Sequence, residues 1–199
     1  DKLETIGFDN QVSFAYYQGL QAIFEGYTLS PQSNFMEELR MIKDEKELAT
    51  IRKACSISDR AFTDVLDFIK PGQTTELQVA NFLDFRMREY GSSGVSFESI
   101  IASGYRSAMP HGVASEKVIQ SGETLTMDFG CYYNHYVSDM TRTIHIGDTT
   151  DEEREIYDIV LRSNQALIDA AKAGMTRRDY DKVARDVIVE AGYGDYFTH

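Results

Sequence analysis

Cysteine is scarce in this chain, with only Cys55 and Cys131 present. One falls in an expected helix and the other in an expected strand. Such a pair provides neither a disulfide framework nor a metal-ligand spacing. Both read as reduced, buried thiols of a cytoplasmic protein. Basic residues are also in short supply: 20 Lys and Arg against 32 Asp and Glu leave a net charge of −12. No basic face is left for a nucleic acid, and an anionic membrane surface would repel the chain. Neither partner is expected. No apolar run approaches the length of a membrane span, and no segment reads as a signal peptide. The metal motifs HExxH and CxxC are absent as well.

The 199 residues, 42% of them hydrophobic and 26% charged, suffice for one sizeable core or for one domain plus part of another. Residues 9–27 predict a helix capped by Asp9 or Asn10, with Val12, Tyr16, Leu20 and Ile23 on one face. Thr28 to Met36 is turn-rich and reads as a linker. Asp44 with Glu47 forms a capping-box pattern. A helix carrying Leu48, Ile51, Cys55, Phe62, Val65 and Ile69 follows and stops before Pro71-Gly72. Thr75 with Gln78 opens a second helix, with Leu77, Ala80, Leu83 and Met87, that ends at Gly91. Residues 96–103 read as a strand, and 124–147 as two strands around a turn at Asn134-His135. Thr150 with Glu153, and Thr176 with Asp179, open two further helices ending near Gly174 and Gly192. The punctuation of Gly72, Thr74, Gly91 and Phe97 recurs at Gly174, Thr176, Gly192 and Phe197, an offset of 100 to 102 residues. If the repeat holds, its second copy is interrupted at His199. The chain then reads as cut at both ends.

Chemistry concentrates in MDFGCYYNHYVSDMTRT, residues 127–143, whose aspartates Asp128 and Asp139 lie eleven positions apart. A turn at Asn134-His135 puts Tyr133 opposite Tyr136 and Gly130 opposite Asp139. Side chains alternate along a strand, so Thr126, Asp128, Val137, Asp139, Thr141 and Thr143 share one face. Leu125, Met127, Phe129, Cys131, Met140 and Ile144 form an apolar layer on the other. The two Cβ atoms are expected about 7–8 Å apart, or slightly less, with open space at Gly130. Converging carboxylates need a cation, a shared proton or water. A shared proton requires closer approach. Hard oxygen ligands suit Mn²⁺, and two ions roughly 3.5–4 Å apart can be bridged by carboxylates. A partly solvated sheet face with incidental aspartates is the plain structural alternative.

The runs ELRMIKDEKELATIRKACSISDRAF, ASGYRSAMPHG and LTMDFGCYYNHYVSDMTRT together resemble the pita-bread metallopeptidase family, which contains aminopeptidase P, prolidase and creatinase. The resemblance covers residues 38–199, read as the first part of the catalytic domain. Residues 1–37 resemble the end of that family's N-terminal domain plus a linker. It implies an α+β pita-bread fold of pseudo-symmetric halves, each a helix pair plus antiparallel sheet, with the second half incomplete. It also implies two divalent ions, with Mn the expected metal, and Asp128 and Asp139 among their ligands. The family's remaining ligands, one histidine and two glutamates, lie in the second half and match no residue here. His111, seventeen residues before Asp128, matches a histidine that lines the substrate site and hydrogen-bonds during the reaction. His199 matches a second substrate contact. His135 is expected in the turn, His145 on an exposed strand position, and Arg142 on the face away from Asp139, paired with a carboxylate elsewhere.

The activity so implied is hydrolysis of an N-terminal Xaa-Pro bond, in the manner of aminopeptidase P or prolidase, by a hydroxide bridging two metals. The substrate is a peptide with proline in second position, and the assembly a homodimer. The intact protein is expected to be active, whereas residues 1–199 alone hold too few ligands for catalysis. A family member without peptidase activity, creatinase-like or a binding module, is the alternative. Keeping two like charges together argues against it. Methionine aminopeptidase is a nearer rival, disfavoured by the extra segment before residue 38.

Overall fold

A computed structural model describes residues 4–198. Strand β1 (Thr5–Asp9) leads through helix α1 (Phe14–Ile23) to β2 (Thr28–Gln32), and the two strands pair in parallel. The helix expected from Asp9 starts later. Asp9 belongs to β1, its Oδ1 accepts the Gln11 N–H at 2.8 Å, and the cap is Ser13, whose Oγ accepts the Tyr16 N–H at 3.2 Å. The expected linker supplies β2. Pro31 hid that strand, yet a two-stranded sheet has a free edge on each strand where a missing N–H costs nothing. Asn34, at φ 58, then turns the chain into α2 (Phe35–Met41). Neither α1 nor α2 buries a residue.

Helix α3 (Glu45–Phe68) opens on the expected capping box: Asp44 Oδ1 accepts the Lys46 and Glu47 N–H groups at 2.8 and 2.9 Å, and Glu47 Oε2 accepts the Asp44 N–H at 2.6 Å. Its buried face is Ala54, Ile57, Ser58, Ala61 and Val65. Cys55 is exposed, against the expectation of a buried thiol. The helix turns its small residues inward, so the sheet can approach closely, and the cysteine falls beside that stripe. Helix α4 (Glu76–Glu89) starts at the Thr75–Gln78 box and buries Glu76, Val79, Leu83 and Met87, leaving Leu77 exposed.

The strands after α4 are β3 (Gly94–Val95), β4 (Ile100–Ser103), β5 (Glu123–Phe129), β6 (Cys131–Tyr133), β7 (Tyr136–Val137) and β8 (Met140–Ile146). They form two antiparallel sheets, β4-β5-β8 and β3-β6-β7. One long hairpin links both. It turns at Asn134 and His135 (φ 46 and 70), the paired left-handed residues of a type I′ turn. Its register is the predicted one: Tyr133 opposite Tyr136, Phe129 opposite Met140, Asp128 opposite Thr141. The expected strand over 96–103 is regular only from Ile100. Ser96 instead donates its N–H to the Gly130 carbonyl at 3.0 Å and its Oγ–H to the Ser138 carbonyl at 2.9 Å. Leu125, Met127, Phe129 and Cys131 are fully buried in one core with α3 and α4.

Helices α5 (Asp151–Ala170) and α6 (Arg177–Glu190) pack on each other through Ile159, Ser163, Ala184 and Ile188, and Ser163 Oγ donates to the Ala184 carbonyl at 3.0 Å. The internal repeat is present in their caps. Thr75 and Thr176 each accept the N–H three residues on at 3.1 Å. The Ser92 N–H to Met87 carbonyl bond recurs as Tyr193 to Ile188, both at 3.0 Å. The first-copy equivalent of Thr176 is therefore Thr75 and not Thr74, which accepts the Lys70 N–H instead. Among the described residues no helix is long and apolar enough to cross a membrane.

Candidate metal centre

Asp128 sits near the end of β5, half-buried, and its Oδ1 accepts a hydrogen bond from Thr141 Oγ at 2.9 Å. Asp139 lies in the break between β7 and β8 and is exposed between buried Ser138 and Met140. Alternation carries unbroken from Ser138 to Thr141, so Asp139 shares its face with Thr141 and therefore with Asp128. Partial burial, and then the charge of Asp128, hold the Asp139 carboxyl above the usual aspartate range. Two carboxylates on one face form a locus for a cation.

The expectation of open space at Gly130 is corrected. A Cβ there would lie 2.0 Å from the Ser138 carbonyl oxygen and 2.5 Å from Ser96 Oγ. Glycine is required by close backbone approach and not by a gap. Ser138 is fixed on every side. Its Oγ accepts the Cys131 N–H at 3.0 Å and lies 2.6 Å from Ser58 Oγ, while its own N–H donates to the Cys131 carbonyl at 2.9 Å. Sequence reasoning missed Ser58 and Ser138. Their one signal was a serine on the apolar stripe of α3, four residues after Ala54.

His111 is exposed, in the loop between β4 and β5. The loop is tied to the sheet by a bridge between Val113 and Ile100, and Ile100 is the β4 partner of Asp128. His111 is thus delivered to the same end of the sheet as the aspartates. His199 lies outside the described residues. His135 is in the turn and exposed, as expected. His145 is not an exposed strand residue: its side chain is 12% exposed, with Nε2 2.8 Å from the Asp148 carbonyl oxygen. A carbonyl only accepts, so that nitrogen carries the proton and the ring anchors the turn after β8. Arg142 donates to the Thr141 carbonyl at 2.9 Å and lies 4.0 Å from Asp59 of α3, the kind of carboxylate partner expected.

No group of three or more His, Cys, Asp or Glu side chains converges among the described residues. The pair offers hard oxygen donors, which fit Mn²⁺-like ions, and supplies only part of a coordination shell.

The α3–α4 pair packs against antiparallel strands whose long hairpin presents two aspartates on one face. The model of Metallopeptidase family M24 matches residues 49–199, and the chain belongs to that family. It is 42% identical over 198 residues to the uncharacterized peptidase YqhT of Bacillus subtilis, covering 99% of this chain and 56% of the relative. The structure of Xaa-Pro dipeptidase from Bacillus anthracis superposes with a TM-score of 0.92 at 44% identity, covering 98% of this chain and 55% of that one. The X-Pro aminopeptidase of Thermotoga maritima gives a TM-score of 0.92 at 39% identity, covering 96% and 55%. The fold is the α+β pita-bread fold, represented here over about half the length of these structures. The chain likewise spans about half the length of the curated relatives it matches.

Proposed function

We propose that the intact protein is an Xaa-Pro peptidase that holds two divalent ions, Mn²⁺ by preference, with Asp128 and Asp139 among their ligands. The observation that carries this reading is that both aspartates lie on one face of the hairpin, Asp128 half-buried near the end of β5 and Asp139 exposed at the break before β8, in a chain of family M24. The names of the dipeptidase and aminopeptidase relatives support the proline specificity. Residues 38–199 are the first part of the catalytic domain and residues 1–37 the end of an N-terminal one. Further ligands come from chain outside these residues, as the half-length match to the relatives suggests.

When bound, such ions polarise a peptide carbonyl and make water a nucleophile near neutral pH. The chain's own residues then have separate tasks. Asp128, steadied by the Thr141 hydroxyl, holds its carboxylate in a fixed orientation on the strand. Asp139 is poised by the Ser138 anchorage. His111 donates a hydrogen bond to the reacting carbonyl or its developing charge, acting mainly in the transition state. His199 contacts the substrate. The resemblance also implies a homodimer, which sedimentation of the intact protein tests.

The decisive assay is turnover of peptides with proline in second position. Activity should vanish on chelation and return with Mn²⁺. A folded, metal-loaded protein that cleaves no Xaa-Pro peptide would favour a family member that keeps the fold without the peptidase chemistry.

A further inference from the structure

The most heavily engaged polar side chain outside the metal face is that of Glu76. It is the first residue of α4 and has no exposed surface. Oε1 accepts the Ser103 N–H at 2.8 Å and the Ser103 hydroxyl at 2.9 Å. Oε2 accepts Arg106 Nε at 3.0 Å, the Ser115 N–H at 3.2 Å and the Ser115 hydroxyl at 2.6 Å. Those donors bracket the loop that carries His111. Ser103 ends β4, Ser115 begins the return to β5, and Arg106 reaches across to donate through Nη2 to the Val113 carbonyl at 2.6 Å. The α4 N-terminus closes the same base, with the Glu76 and Leu77 N–H groups donating to the Lys117 and Ser115 carbonyls at 3.0 and 2.9 Å. Lys117 Nζ completes the ring on Ser103 Oγ at 2.8 Å.

Beyond that base the loop is held by short-range backbone bonds, from the Met109 N–H to the Arg106 carbonyl at 2.9 Å and from the Val113 N–H to the His111 carbonyl at 2.9 Å, and by the Val113–Ile100 bridge. Tyr105, Met109 and Val113 are exposed large apolar residues, and His111 is exposed. Gly112 is the exception, since a Cβ there would lie 2.9 Å from Ala102 Cβ. His111 therefore sits beside a tightly seated residue, two positions from the carbonyl that Arg106 holds. Charge-assisted bonds to a buried carboxylate are stronger and better oriented than neutral ones, so they set where the loop stands.

We propose that Glu76, acting through Arg106, is a positioning residue for His111. The proposal rests on the peptidase reading above and adds a function to a network that would otherwise only hold the fold. Neither side chain reaches the metal face; their effect on the reaction is the placement of the histidine.

A double-mutant cycle in the intact, Mn²⁺-loaded protein tests it, with Xaa-Pro turnover and amide hydrogen exchange read together. Arg106→Ala should lower kcat by roughly 10- to 100-fold, the scale of loss for a misplaced catalytic group, with a smaller change in KM and unchanged metal content. Exchange should rise across residues 104–114. Arg106→Lys, which keeps a charge for Glu76 but not the fork that also reaches Val113, should fall between. In a His111→Ala background, Arg106→Ala should cost almost nothing further. A loss of the same factor in both backgrounds would overturn the proposal, as would an Arg106→Ala protein with normal kcat and normal exchange. If Arg106→Ala does not fold, Arg106→Lys carries the same cycle. A wild-type protein without Xaa-Pro turnover would instead overturn the peptidase reading, and the positioning role of Glu76 with it.

Discussion

Gly130→Ala tests how the metal face is built. The added Cβ would meet the Ser138 carbonyl oxygen at 2.0 Å, its carbon at 2.8 Å and Ser96 Oγ at 2.5 Å. Ser96 can rotate away only by giving up its bond to Ser138, a loss of about 1 kcal/mol. The carbonyl can retreat only if the strand moves, and Ser138 is held by Ser58 and Cys131. Overpacking of this kind costs about 1–3 kcal/mol, and backbone contact places it at the upper end. The total of about 3–4 kcal/mol corresponds to a drop in Tm of roughly 6–16 °C for a domain of this size. Thermal unfolding of the metal-free protein, followed by circular dichroism, measures it. Gly19→Ala is the control, mid-helix in α1 with nothing within 4 Å of the new methyl. It should be neutral or stabilising by up to about 1 kcal/mol. Gly130→Ala should also weaken Mn²⁺ binding, because the displaced strand carries Asp139. A Gly130→Ala protein melting within a degree of its parent would refute the close approach and the anchorage inferred from it.

Ser58→Ala removes a buried partner of Ser138 and should destabilise by about 1–3 kcal/mol in urea titration, with Mn²⁺ affinity falling alongside. Asp139→Asn should stabilise the metal-free protein while destroying metal binding. The folded carboxyl lies above its ordinary value, so stability is lost as pH rises from the usual aspartate range through the raised folded value. The gain in urea midpoint should therefore be present at pH 7 and shrink towards pH 4; a gain that grows on acidification would contradict the assigned direction.

How much was legible depended on whether local chemistry or distant partners decided each feature. The hairpin register was legible because a turn at Asn134-His135 fixes the parity of every pair behind it. One slipped residue would have turned Phe129 and Met127 out of the core. Helix starts were legible wherever a capping box stands, at Asp44, Thr75 and Thr150. The β1-β2 pair was not, because parallel strands find each other across a helix and Pro31 disguises one of them. Periodicity found α3 but not its inward face. Cys55 and Ala54 are neighbours, and the approach of β6 decides which is buried. Glu76 was invisible for a related reason. An acid after a helix cap reads as a solvated charge until Ser103 and Ser115, 27 and 39 positions away, fold over it.

The central claim is that Asp128 and Asp139 are metal ligands in a proline-directed peptidase, and Asp128→Asn tests it most directly. The intact protein should bind two Mn²⁺ ions per chain by titration calorimetry and hydrolyse Xaa-Pro peptides in their presence. Asp128→Asn leaves the strand and the Thr141 contact sterically intact while removing one ligand charge. It should bind fewer ions and lose nearly all turnover, on the order of a thousandfold or more in kcat. A variant with wild-type ion stoichiometry and wild-type kcat would show that the pair is a structural feature of the hairpin and not a metal centre.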